Sequence, residues 1–353
     1  MKKIKILITG VGAPGIQGTV FSLKNNYDNR DIYIIGTDSD NNVIGKFICD
    51  SFFQIPKATF KKDYIKVLKS IIKKEKVDII LPQNTSELLT LAELKDEFNK
   101  LGIKIIISSA DSIHNANNKF ELLKICKEIS IPYPKYYLVN DKNGFKKALN
   151  TLGWPDKKVI VKPPLSNGSR GLRIIDEKIN EKSLFFSEKP SKLFVKSNDL
   201  LRVMGDSFPE LLITEYLPGT EYTVDIFRNN GSCTAIPRSR DLIKNGITFN
   251  GTVVKHDEII KYSQDLADYL NLQYCFGFQF KDDLHGKPKI LECNPRVQGT
   301  MVLSTLSNAN LIYSSIKSAL GEEIPEFNIK WGTQMFRYWG GISVYDNKIV
   351  NKI

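Results

Sequence analysis

The run Ile4-Lys5-Ile6-Leu7-Ile8-Thr9 is almost wholly apolar and mostly β-branched, and it stops at Gly10-Val11-Gly12-Ala13-Pro14-Gly15. A strand with one face in water alternates apolar and polar residues. A strand without that alternation is covered on both faces, as in a parallel sheet flanked by helices. The glycines then turn the chain into a helix, with Pro14 suited to a helix start. Further strand-like runs at Ile32–Gly36, Asp78–Leu81 and 103–107 alternate with helical patterns near 17–26, 62–75 and 86–100. This alternation predicts a small doubly wound α/β domain over residues 1–110.

The pattern changes near Asp111. A helix is expected at 118–129, closed by Ser130-Ile131-Pro132-Tyr133-Pro134. Strand-like segments follow at 158–162, 171–176, 211–216, 221–227, 232–237, 274–281 and 288–293, with helices near 143–152, 197–206 and 259–270. Strands joined mostly by turns predict an α+β region of antiparallel sheets. Its expected parts are residues 111–190 and 191–321, with a C-terminal extension at 322–353 that carries no strong pattern. A chain of 353 residues is long enough for several such parts.

Hydrophobic residues make up 42% of the chain and charged residues 25%, with no apolar window of about 18 residues and no signal-like start. A cytoplasmic protein without a membrane role is expected. The net charge of +11 comes largely from lysines strewn over helical faces, such as Lys61, Lys62, Lys66, Lys69, Lys73 and Lys74. They lack the aromatic interleaving or reader motif of a nucleic-acid site, so no nucleic-acid partner is expected. Cys49, Cys126, Cys233, Cys275 and Cys293, like His114, His256 and His285, are too dispersed for a disulfide framework or a zinc site.

Several stretches carry chemistry. Val159-Ile160-Val161-Lys162 ends an apolar strand on a lysine, and Leu165-Ser166-Asn167-Gly168-Ser169-Arg170-Gly171 follows as a small loop. A point charge beside backbone N–H groups suits a triphosphate, although a hairpin turn with a surface lysine has the same pattern. In Ile213-Thr214-Glu215-Tyr216-Leu217-Pro218-Gly219-Thr220-Glu221, carboxylates stand on either side of a Pro-Gly turn. They could accept from an adenine amino group and ribose hydroxyls, or simply face water. In Lys289-Ile290-Leu291-Glu292-Cys293-Asn294-Pro295-Arg296 the period of two puts Glu292 and Asn294 on one face of a strand. The preceding strand, Phe276-Gly277-Phe278-Gln279-Phe280, can fold against it and bring Gln279 as a third oxygen ligand. Few, hard oxygen donors with room for phosphate and water suit Mg²⁺. Arg238 and Arg240 share a strand face beside the Gly-rich segment 245–251, fit for a carboxylate or acyl phosphate or else for solvent.

Taken in order, these pieces resemble the ATP-grasp superfamily, in its carbamoyl-phosphate-synthase-like branch with a single ATP-grasp unit, over roughly residues 4 to 320. The resemblance implies a pre-ATP-grasp Rossmann-like domain, a lid subdomain with the glycine loop and a C-terminal antiparallel-sheet subdomain with the metal ligands. It implies ATP and Mg²⁺, or Mn²⁺, as cofactors. Lys119 and Lys162 fall where the family has its nucleotide-contacting cations, and Ser166, Gly168, Ser169 and Gly171 where it has the phosphate-covering loop. Glu215 and Leu217 match the adenine hinge, Glu221 the ribose ligand, and Gln279, Glu292 and Asn294 the metal ligands. Arg296 matches an arginine at the transferred phosphoryl group. The implied activity is an ADP-forming ligase joining a small-molecule carboxylate to an amine, thiol or other nucleophile through an acyl phosphate, in a family where homodimers are common. Asn84 departs from an aspartate usual at that place, Asn167 and Arg170 interrupt a loop that is purer glycine in some relatives, and nothing resembles a glutaminase.

Other readings stand beside this one. Gly10, Gly12 and Gly15 with Asp38 also satisfy the spacing of a dinucleotide fingerprint, which would make the chain a nicotinamide-dependent oxidoreductase. An ATP-grasp kinase stopping at a phosphorylated product, or a non-catalytic nucleotide-binding protein, is the remaining alternative.

Overall fold

The computed structural model describes residues 3–166, 168–187, 193–244 and 246–353. The chain divides into two compact units: Met1–Ala116 with Glu221–Gln279 and Cys293–Ile353, and Asn117–Thr220 with Phe280–Glu292.

The first unit begins with a five-stranded parallel sheet in the order Ser51–Gln54, Ile32–Asp38, Ile4–Thr9, Ile79–Leu81, Lys104–Ile105. The unbroken apolar run of the first strand is explained by its two faces. Ile6 and Ile8 pack into a core with Ile16, Leu23, Met301, Leu311 and Ile312, while Leu7 joins Leu68, Ile72, Ile80 and Leu91 on the other side. A four-stranded sheet in the order Ser232–Ser239, Glu221–Asn229, Tyr274–Asp282, Pro288–Asn294 belongs to this unit except for its residues within Phe280–Glu292. A smaller sheet holds Leu242–Lys244, Ile247–Thr252 and Gln334–Phe336.

The second unit is built on a five-stranded sheet ordered Tyr136–Asp141, Ser207–Glu215, Val159–Lys162, Arg173–Ile175, Phe194–Val195. All its pairs are antiparallel except the last. Phe145, Leu149, Leu201, Val159, Val161 and Ile213 form its core. Two of its helices are capped by short polar side chains: Asp141 accepts from the amides of Asn143 and Gly144 at 2.8 Å, and Asn118 accepts from Phe120 at 3.0 Å.

Several segments differ from the sequence expectation: strands Ser51–Gln54 and Tyr136–Asp141 and helix Glu181–Ser187 lie outside it, and most of the Gly-rich segment 245–251 falls in strand Ile247–Thr252. The helix expected at 86–100 is a 3₁₀ turn at Thr85–Glu87 followed by separate helices Leu88–Glu93 and Lys95–Lys100. At Leu94 the backbone stays in the right-handed region (φ −89°, ψ −5°), but its amide bonds Leu91, three residues back, at 3.2 Å. Helix Leu311–Leu320 is absent from the sequence expectation; it is buried from Leu311 to Lys317, its polar residues Ser314, Ser315 and Lys317 included. The patternless tail contains strand Gln334–Phe336 and a hairpin of Ile342–Tyr345 with Lys348–Lys352. Asp346 and Asn347 turn that hairpin at φ 53° and 58°, the left-handed pair that a two-residue turn requires.

Candidate functional site

In the second unit, two lysines that the sequence singled out are buried. Lys162 ends its strand 8% exposed, with Nζ 3.5 Å from the Leu291 carbonyl. Lys119 opens helix Lys119–Glu128 and is 5% exposed; its ammonium donates to the Ser166 carbonyl at 2.6 Å and lies 3.4 Å from a Glu292 carboxylate oxygen. A buried ammonium is tolerated only with such partners. The glycine loop is thereby tied to Lys119. It then turns through Gly168, Ser169 and Gly171 at φ 58°, 60° and 75°, and a Cβ at Gly171 would lie 2.7 Å from Pro163. Asn167 lies outside the described residues.

Glu215 ends strand Ser207–Glu215, where its carboxylate accepts from the Lys135 amide at 3.0 Å and from the Lys289 ammonium at 2.7 Å. Leu217 is buried at 4% exposure. The Pro-Gly turn that follows is held by reciprocal backbone bonds, Gly219 to Asp282 at 3.0 Å and Asp282 to Thr220 at 2.9 Å. A Cβ at Gly219 would collide with Asp282 at 2.6 Å.

In the first unit, Arg238 and Arg240 do share a face, since both donate to the Thr248 hydroxyl, at 3.3 and 3.0 Å. Their surroundings differ. Arg238 is 2% exposed and makes a two-pronged pair with the fully buried Asp225, at 3.0 and 3.3 Å, plus a bond to Gln298 at 3.3 Å. Asp225 also accepts from Ser304 at 2.8 Å. Arg240 pairs with Glu221 through its side chain, and its amide donates to the Glu221 carbonyl at 2.9 Å. Its guanidinium reaches the Gly246 carbonyl at 2.6 Å. Asn245 lies outside the described residues.

Gln279 sits half-buried between Phe278 and Phe280, both fully buried. Glu292 and Asn294 stand two residues apart on strand Pro288–Asn294, each half-buried. Arg296 donates to Asn294 at 3.4 Å, to the Val297 carbonyl at 3.0 Å and to the Thr85 hydroxyl at 2.8 Å. No group of three or more His, Cys, Asp or Glu is gathered among the described residues. The donors on these strands are carboxylate and amide oxygens, few enough to leave coordination positions for water and phosphate, which fits Mg²⁺.

Arg337 escaped the sequence reading. It follows strand Gln334–Phe336 as a lone cation in an apolar stretch, and donates to the Gly299 carbonyl at 2.9 Å. Burial, with the charge of Arg238 nearby, holds its pKa below the usual guanidinium range. Its Nε is buried and has no hydrogen-bond partner. Gln298 was missed as well; its Nε2 is likewise unpartnered, beside Gly277, where a Cβ would lie 2.2 Å away.

The N-terminal glycines have structural occupations. The Gly12 amide donates to Asp38 at 2.7 Å, and Asp38 also accepts from the Asp40 amide at 3.0 Å. A Cβ at Gly15 would sit 2.5 Å from the Gly299 Cα. The fingerprint spacing is thus accounted for by close backbone packing and an internal carboxylate.

Residues 207–335 match the family model described as ATP-grasp in the biosynthetic pathway with Ter operon, and residues 6–106 the one described as PylC-like, N-terminal domain. The carbamoyl phosphate synthase large chain of Clostridium acetobutylicum is 24% identical over 291 residues, 79% of this chain. The chain spans 25% of that relative's length. Among solved structures, the biotin carboxylase–β,γ-ATP complex of Campylobacter jejuni superposes with a TM-score of 0.68 at 18% identity, covering 94% of this chain and 74% of that one. The ADP complex of N5-carboxyaminoimidazole synthetase from Staphylococcus aureus gives 0.66 at 18% identity, covering 91% and 78%. At these identities the likeness is one of fold.

Proposed function

This chain carries an ATP-grasp domain behind a PylC-like N-terminal domain, and on that footing we propose that it is an ADP-forming carboxylate ligase. The observation that carries the reading is the placement of Lys119, a buried ammonium that touches both the glycine loop and Glu292. A cation so held is set to receive phosphate oxygens under the loop, with Lys162 as a second charge. Leu217 would flank the adenine, Glu215 would fix the hinge through Lys135 and Lys289, and Glu221 would take the ribose hydroxyls. Gln279, Glu292 and Asn294 would hold Mg²⁺, which neutralises charge on the phosphates.

The reaction proposed has two steps. A carboxylate oxygen of the substrate attacks the γ-phosphorus of ATP, the bond to the β-phosphate oxygen breaks, and ADP leaves. The nucleophile's lone pair then attacks the acyl phosphate carbonyl, inorganic phosphate departs, and the nucleophile's proton is lost. The protein's part is positioning and electrostatic stabilisation. Arg296, Arg240 and Arg337 are the groups assigned to the acyl and phosphoryl oxygens. Arg238, engaged by Asp225, is assigned to positioning through Thr248 and Gln298.

The test is hydroxylamine trapping. Incubated with Mg·ATP and pools of carboxylic acids, the protein should release ADP and give a hydroxamate with at least one acid, and Glu292→Ala should abolish both. AMP with pyrophosphate would indicate adenylation instead, and a stable phosphorylated product that hydroxylamine does not intercept would indicate a kinase.

A further inference from the structure

The assigned ligase chemistry leaves the substrate's organic body unidentified, and the tail supplies a surface for it. Strand Ile247–Thr252 pairs with Gln334–Phe336 in the register Asn250 to Phe336 and Gly251 to Met335. The next backbone bond, from the Arg337 amide to the Phe249 carbonyl at 2.9 Å, extends that pairing by one residue. Residues opposed across a sheet share a face, so Phe249 and Arg337 look the same way. Trp339 packs on Phe249 with ring centroids 5.0 Å apart at 50°. The Lys244 ammonium lies 4.4 Å from the Phe249 centroid and 5.9 Å from that of Trp339.

The two rings are used very differently. Phe249 is 9% exposed, whereas Trp339 is 75% exposed, so the phenyl ring is covered while the indole lies largely open to solvent. Arg240 and Arg238 have Glu221 and Asp225 as acid partners; Arg337 and Lys244 have no ion pair among the described residues. Arg337 further donates to Gly299, whose Cα lies where a Cβ on Gly15 would collide, so the cation stands near the loop that opens the first helix. A cation without an ion pair, opposite the phenyl ring that an exposed indole packs on, with a lysine already in the cation–π position over that ring, suits an anion joined to a neutral flat ring.

We propose that Trp339 and Phe249, with Arg337 and Lys244, form the seat of the carboxylate substrate's body, and that this body is an aromatic ring one to three bonds from the carboxylate. The carboxylate is held at Arg337 and the ring stacks on Trp339. This rests on the ligase reading only for the name of the bound molecule as substrate; the binding itself needs no ATP.

The test is therefore a titration of the full chain without nucleotide. Benzoate, phenylacetate and 3-phenylpropanoate are compared with their cyclohexyl counterparts by calorimetry, in wild type, Trp339→Ala, Trp339→Phe and Arg337→Gln. At least one aryl acid should bind about fivefold tighter than its cyclohexyl analogue, the increment of one aromatic pair. Trp339→Ala should erase that preference, Trp339→Phe should restore most of it, and Arg337→Gln should weaken aryl and cyclohexyl acids alike. With its indole largely in solvent, the alanine variant should keep the wild-type melting temperature. No measurable binding of any aryl acid at 10 mM (on the order of the weakest contact worth testing), or equal affinity for the cyclohexyl series, overturns the proposal. Tryptophan-dependent binding without ADP release would leave this seat standing and sink the ligase reading. ADP release driven by aliphatic acids, with no Trp339 dependence, would do the reverse.

Discussion

Glu87 makes the first unit's stability depend on pH in an unusual direction. It is 6% exposed, accepts from the Tyr64 hydroxyl at 3.2 Å, and has its pKa pushed from 4.5 up to about 7. Burial is the main cause, and the charge of Asp38 adds to it. A carboxyl group with a raised folded-state pKa binds its proton more tightly in the folded than in the unfolded chain. Its contribution is then favourable at low pH and is lost as pH rises from about 4.5 through about 7. A shift of that size corresponds to about 3 kcal/mol. Urea unfolding of wild type and Glu87→Gln between pH 5 and 8.5 measures it, because the difference between the two proteins removes every other titrating group. Wild type should lose about 3 kcal/mol relative to the variant as the pH is raised. A difference that stays constant across that range refutes the assignment of the proton to Glu87.

Removing one member of the buried Arg238–Asp225 pair should be severe. Arg238→Met should cost about 4 kcal/mol in unfolding free energy by stranding Asp225, and adding Asp225→Leu should recover much of it; a mild single variant argues against the pair. Gly277→Ala places a Cβ 2.2 Å from Gln298 Nε2, which that side chain can swing away from, and 2.6 Å from the Val224 backbone carbonyl, which no rotamer change can relieve, so a loss of roughly 3 kcal/mol is expected by chemical denaturation. Mg·ATP should raise the melting temperature while NAD(H) and NADP(H) at millimolar concentration should not. Dinucleotide binding without a response to Mg·ATP would restore the oxidoreductase reading.

Where the sequence was legible, one physical signal dominated. The run Ile4–Thr9 announced a strand covered on both faces, and both cores around it are present. Lys162 was likewise readable as the end of an apolar strand, and the shared face of Arg238 and Arg240 from a period of two. Leu311–Leu320 was not, since its polar residues Ser314, Ser315 and Lys317 are buried along with its apolar ones, so polarity there does not mark an exposed face. The tail was silent because its strands are only a few residues long and its side chains are largely exposed, so neither length nor alternation marked them. Arg337 was hidden for the same reason. That Arg238 is paired with Asp225 while Arg240 is paired with Glu221 could not be read from spacing, because the partners lie on a neighbouring strand whose register only the folded sheet reveals.

If a carboxylate oxygen attacks the γ-phosphorus of ATP, that oxygen must end up in the released phosphate, and isotope transfer follows it. The acid that best stimulates ADP release is supplied with both carboxylate oxygens as ¹⁸O, together with Mg·ATP and the amine pool, and the phosphate formed is examined by ³¹P NMR. Each phosphate released should carry one ¹⁸O, because the oxygen that attacked phosphorus leaves with it. Unlabelled phosphate, or AMP and pyrophosphate in place of ADP, would contradict it.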